Sequence, residues 1–219
     1  MEDFYIVITT MRTYKVALEI LLSSLPVSTK YILVYSNEQK NDFKVNTEGN
    51  IEVSIINNIY EYGAYLGVNL LLENKIISNK SIFLFIHDTC NFGSKASSKI
   101  PPLVSDFRNE PQEIFWLSHK GQCNICLIKS KAVLEGAKIY KDYLVMDKMM
   151  AIAAEWNGNK LSAKKIPVEQ KMSNLTAEPR GQKDVYKNNI KRHVIYYSLI
   201  DLEKNYVAIK NTSEHPQKP

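Results

Sequence analysis

Glycine and proline are scarce, at eight residues each in a chain of 219. That excludes collagen-like and low-complexity architectures and leaves little material for glycine-wrapped phosphate loops. Neither G-x-x-x-x-G-K-[ST] nor G-x-G-x-x-G occurs, which removes P-loop NTPases and dinucleotide-binding Rossmann domains from consideration. The Gly-rich, basic signature of sugar nucleotidyltransferases is also missing from the first loop. Cysteine is limited to Cys90, Cys123 and Cys126, an odd number without framework spacing, as expected in a reducing compartment. Cys123 and Cys126 form a lone C-x-x-C with no second pair and no His cluster nearby, and read as small residues beside a strand. No apolar run approaches the ~18 residues of a membrane span, and Met1-Glu2-Asp3 is acidic where a signal peptide is basic. The expectation is a soluble cytoplasmic protein, in the host cytoplasm if the chain is viral, with no membrane span.

Charge of one sign is also in short supply. Twenty-eight basic against 23 acidic residues give +5, too mild for a dedicated nucleic-acid binder. The surplus gathers late, at Lys160, Lys164, Lys165, Lys171, Arg180, Lys183, Lys187, Lys191 and Arg192. Such a face attracts polyphosphates or is simply solvated. Thirteen tyrosines suggest base stacking, but Tyr5, Tyr31 and Tyr35 lie inside apolar runs and read as strand residues, so no nucleic-acid partner is expected.

What is present is an alternation of strands and helices. Phe4–Thr9 is a short, continuously apolar run, as in a strand buried on both faces; Tyr31–Tyr35 and Ile51–Ile56 read as two more strands, and Ser81–Ile86 as the most convincing buried strand. Val16, Ala17, Ile20, Leu21 and Leu25 fall on one helical stripe ended by Pro26, and Tyr65, Val68 and Leu72 on another. Ile114–Leu117 and Ile125–Ile128 read as two more strands. Ser130 caps a helix through Glu135, and Asp142 caps another to Trp156. Residues 157–189 read as a long polar loop, His193–Tyr197 as a last strand, and Leu199, Leu202 and Tyr206 as loose helical spacing. The order implies one α/β domain over residues 1–210, with a mainly parallel, Rossmann-type mixed sheet flanked by helices and a polar, disordered tail at 211–219.

Ligands of open α/β sheets bind at the carboxyl ends of the strands. Those ends carry Thr9-Thr10-Met11-Arg12, Ser36-Asn37-Glu38, Asn57-Asn58 and His87-Asp88-Thr89. Each residue alone is an ordinary loop-capping group. Together they place hydroxyls, amides, a carboxylate and a guanidinium on one edge, a set suited to a base, a ribose and phosphates. Without glycine-wrapped helix starts, a diphosphate calls for a divalent cation on hard oxygen ligands, and Asp88 is the candidate.

This order of elements, with an acidic residue just after Ser81–Ile86, resembles the nucleotide-sugar glycosyltransferases of the GT-A fold, of a small viral or bacterial type. The resemblance runs over residues 4–156 and more weakly to Lys204. It implies that Thr9, Thr10 and Arg12 hold the nucleotide, with Asn37 and Asn57 beside them. It also implies that Tyr62 and Gly63, in Glu61–Asn69, lie near the base and ribose. The D-x-D motif for ribose and metal falls on His87-Asp88-Thr89, of which only Asp88 is acidic. Asp142 or Asp147 is similar in placement to the family's acceptor-side carboxylate. From the closing segment, His193 would complete the metal site and Arg192 or Lys191 the diphosphate clamp.

The implied activity is transfer of a sugar from a nucleoside-diphosphate donor, UDP- or GDP-linked, to a hydroxyl of a glycan or protein acceptor, with Mn2+ or Mg2+. The alternative is a module of the same fold that binds a nucleotide sugar or a partner chain without turnover.

Overall fold

Four of the runs become adjacent strands of one sheet with helices on both faces; of these, Ile51–Ser54 is buried on one face alone. The computed structural model describes residues 3–59, 62–117, 125–141, 181–187 and 190–205. β1 (Phe4–Thr10), β2 (Tyr31–Tyr35) and β4 (Ile51–Ser54) pair in parallel, and β5 (Ile82–His87) pairs in parallel with β1 on its other side. Three antiparallel strands complete the sheet: β3 (Asp42–Val45) on β4, β8 (Cys126–Lys129) on β5, and β7 (Ile114–Trp116) on β8. The order is β3-β4-β2-β1-β5-β8-β7.

Alternation along each strand divides the core in two. Phe4, Ile6 and Ile8 of β1 and Ile82, Leu84 and Ile86 of β5 face helices α1 (Lys15–Ser24) and α3 (Ala96–Asn109). Val7, Phe83 and Phe85 face the other way, toward α2 (Gly63–Glu73) and α4 (Ser130–Tyr140). Double burial is why these strands read as unbroken apolar runs.

Glycine permits the closest helix-to-sheet approach. A Cβ on Gly67 would stand 2.7 Å from both Cγ atoms of Val34, and one on Gly63 would stand 2.7 Å from Ser36 Oγ. The four-residue spacing puts both glycines on the α2 face that lies on β2.

A second sheet grows out of the carboxyl end of β5. After Asp88 and Thr89 the chain enters β6 (Cys90–Phe92), which pairs with β11 (Leu202–Asn205); β10 (Ile190–Tyr197) and β9 (Gly181–Lys187) follow, all antiparallel. Asp201 fastens this sheet to the start of α3. Its carboxylate accepts the Tyr196 hydroxyl at 2.6 Å and the Lys95 N–H at 2.7 Å, and its carbonyl accepts the Gly93 N–H at 2.7 Å. Tyr196 foremost, and Lys95 with it, hold the Asp201 carboxyl below its ordinary pKa.

The structure departs from the sequence reading at several places. Val16 and Ile20 of the first helical stripe are exposed, whereas Leu21 of that stripe is buried together with Leu18, which lay off it. Nearly every residue from Val16 to Leu22 is apolar, so the pattern did not fix the inward face. The helix opening at Ser130 runs to Tyr140, past Glu135. Helix α3, which carries Pro101 and Pro102, had no signal. Leu202 lies on a strand and not a helix, and β9 occupies the end of the stretch read as a loop. The helix expected from Asp142 and the polar tail lie outside the described residues.

Candidate functional site

The ends of β2, β1 and β5 stand side by side, with Tyr35 opposite Thr10 and Thr9 opposite His87. Two strand spacings separate the outer pair, roughly 10 Å, which is the scale of a nucleotide. The apolar strands fix the backbone there, and the polar residues that follow them take up the edge.

Asp88 is the centre of this edge. It is buried, only 6% exposed, and its Oδ2 accepts the Thr10 hydroxyl at 2.8 Å. Its own N–H donates to the Thr9 carbonyl at 3.3 Å, which holds the turn after β5 against β1. Burial raises the carboxyl to about 6; the Thr10 hydroxyl, the Thr89 N–H and the Lys204 ammonium each pull it down. Thr9, also buried, gives its hydroxyl to the Ile86 carbonyl at 3.4 Å, and His87 is buried beside them.

Lys204 comes from the second sheet. Register sets it opposite Cys90, two residues beyond Asp88, and it is 6% exposed. Cys90 is buried with it, and burial pushes that thiol up to about 12, so it is no thiolate nucleophile at neutral pH.

A second cluster stands at the β2 end. The Arg12 guanidinium lies over the Tyr35 ring, 3.6 Å from its centre, and its Nε meets Glu38 Oε1 at 3.3 Å. A cleft of about 270 Å3 opens beside it, lined by Lys40, Asp42 and Phe43 among others. A larger cavity, about 540 Å3, lies at the opposite end of the sheet between Phe4, Lys30 and Ile100. The polar groups converge on the first edge and not on the larger cavity, so chemistry decides the site over size.

The remaining sequence candidates distribute as follows. Asn37 is exposed and adopts φ 64°, a left-handed turn that asparagine tolerates, and its N–H donates to the Asn57 carbonyl at 3.2 Å. Asn57 is buried at the end of β4. Tyr62 is buried with its ring 5.0 Å from that of Tyr140, and Gly63 is a packing contact with Ser36, so both are tied into the α2 core. Asp142 and Asp147 lie outside the described residues. His193 occupies a β10 position two before Ile195, the residue opposite Lys204, and Arg192 the adjacent position opposite Val185.

Thr9, Thr10, Arg12, His87 and Asp88 are thus gathered on one edge; Gly63 stands against Ser36 at the end of β2, and Tyr62 is buried against Tyr140. Sequence reasoning passed over Tyr35 and Lys204. Leu202-Glu203-Lys204 alternates in the manner of a strand, with leucine and lysine inward. An inward lysine leaves no mark in an apolar pattern.

The residues do not suit a divalent ion well. Asp88 is a single carboxylate already bonded to Thr10, and the buried Lys204 ammonium beside it would repel an incoming dication. Among the described residues there is no group of three or more His, Cys, Asp or Glu side chains placed to hold a metal.

No family model matches this chain, and no curated protein does. Among the described residues no helix is long and apolar enough to cross a membrane.

Proposed function

We propose that this chain is a glycosyltransferase of GT-A type, moving a sugar from a nucleoside-diphosphate donor to a hydroxyl of a glycan or protein acceptor. The observation that carries the reading is the buried Asp88–Thr10 pair at the carboxyl ends of β5 and β1, with the Arg12–Tyr35–Glu38 cluster one strand away. The edge is long enough for a nucleotide along it. Arg12, laid flat on the buried Tyr35 ring, supplies a planar, cationic surface for the base end, Thr9 and Thr10 supply hydroxyls, and Asp88 stands where ribose and diphosphate meet.

A leaving diphosphate gathers negative charge, so the site has to present positive charge to it. The sequence resemblance assigns that charge to a Mn2+ or Mg2+ ion, which Asp88 would have to hold beside the ammonium of Lys204. An inverting reaction also needs a carboxylate within hydrogen-bond reach of the acceptor hydroxyl, the role given to Asp147 or Asp142 by position in the sequence. A binding module without turnover is the second reading, favoured by the single carboxylate of His87-Asp88-Thr89.

The test is a thermal-shift panel of UDP-, GDP-, CMP- and dTDP-sugars, followed by an assay for released nucleoside diphosphate. A ligand at 100 times its Kd adds about 2.7 kcal/mol of stability. A shift for one nucleotide class, with product release that stops in Asp88→Ala, is expected. Binding without release selects the nucleotide-sugar-binding module, and no shift for any donor removes the donor site and leaves the module that binds a partner chain.

A further inference from the structure

We infer that Lys204 supplies the positive charge for the donor diphosphate in this site, so that nucleotide binding needs no divalent cation. The inference rests on the donor-site reading above and adds to it how the phosphates are held.

Charge arithmetic carries it. In the D-x-D pattern that this chain resembles, two carboxylates and one divalent ion sum to zero. Here the first carboxylate position is His87, leaving Asp88, and the fold brings in the Lys204 ammonium, while Arg12 on the same edge is matched by Glu38. One carboxylate and one ammonium also sum to zero. The loss of half the negative charge and the arrival of half the positive charge occur at the same place.

Topology makes the placement firm. β6 starts two residues after Asp88, and β11 pairs with it in register, so Lys204 stands opposite Cys90 by backbone hydrogen bonding. The turn leading into β11 is held by Asp201, through Tyr196 and the backbone of Gly93 and Lys95. A Cβ on Gly93 would come within 2.3 Å of the Asp201 carboxylate, so the join is tight. Lys204 is consequently delivered to Asp88 by a pinned strand and not by a mobile loop.

The chemistry suits a phosphate. An ammonium combines a full positive charge with N–H donors, both of which phosphate oxygens accept. Burial removes competing water and strengthens its attraction for an anion. A strand-borne lysine is also always present, unlike an ion that must be recruited with the donor.

The experiment measures binding of UDP, GDP and their sugars to the full chain by calorimetry, in EDTA and in Mn2+. The expected result is the same affinity in both, and a loss of roughly 10- to 100-fold in Lys204→Met, the scale of a charged hydrogen bond. Lys204→Arg, which keeps the charge, should retain binding in EDTA and serves as the readout if Lys204→Met does not fold. Binding that vanishes in EDTA and returns with Mn2+ would overturn the inference and leave the donor site standing. Full affinity of folded Lys204→Met in EDTA would overturn it too. If neither nucleotide nor any nucleotide sugar binds the wild-type chain under either condition, the inference and the donor-site reading fall together.

Discussion

Replacing Asp88 by asparagine separates the cost of the site from its use. The Asp88 carboxyl sits at about 6 in the folded chain against 3.8 for an ordinary aspartate, chiefly because it is buried. The folded state therefore holds this proton more tightly than the unfolded state. Its contribution to stability is whole below about pH 4 and is lost as pH rises through about 6. At roughly 1.4 kcal/mol per pH unit, the gap is worth about 3 kcal/mol. Asparagine has the shape of the neutral acid and does not ionise. The Asp88→Asn variant should match wild type near pH 4 and exceed it by up to about 3 kcal/mol near pH 8. In a domain of this size that is about 6–12 °C in Tm. Urea unfolding of both proteins across this range measures the difference, in which all other titrating groups cancel. A difference that does not change with pH, or a wild type that gains on the variant as pH rises, would refute the claim that burial dominates Asp88. A stabilised variant without nucleotide binding is the pattern expected of a residue kept for function.

Two further outcomes test the packing that positions the site. Gly67→Ala should destabilise by about 1–3 kcal/mol through overpacking on Val34, and adding Val34→Ala should recover part of the loss; additive effects in urea unfolding would refute the contact. Asp201→Asn should weaken the links to Tyr196 and Lys95 and cost about 1–3 kcal/mol, with nucleotide affinity falling as β11 loosens; unchanged stability would show that the clasp is incidental.

The central strands of the parallel half were legible because they are buried on both faces and leave continuous apolar runs. Phe4–Thr10 and Ile82–His87 could be read almost to the residue, and with them the polar edge where Thr10 and Asp88 meet. Strands that carry little apolar surface were not legible. β3 holds Phe43 between Asp42 and Lys44, and β9 is mostly polar, so neither shows an apolar run. Pairing partners make them strands, and a single sequence does not name partners. Helix α3 was masked by Pro101 and Pro102. Lys204 was hidden for a different reason. Its importance lies in a neighbour 116 positions earlier in the sequence, and no local pattern records that distance.

The pairing of β6 with β11 also sets an order of events during synthesis. All seven strands of the main sheet precede residue 130, so a nascent chain that has emerged that far already contains every strand of its larger core sheet. Asp88 is by then on the chain, but the strand that brings its counter-charge is still some seventy residues from the ribosome exit. Long-range pairing of this kind forms late. The main sheet is complete in sequence first, and Asp88 acquires the Lys204 charge near it only when the second sheet closes, so on the proposed reading nucleotide binding would mark the end of folding and not its middle.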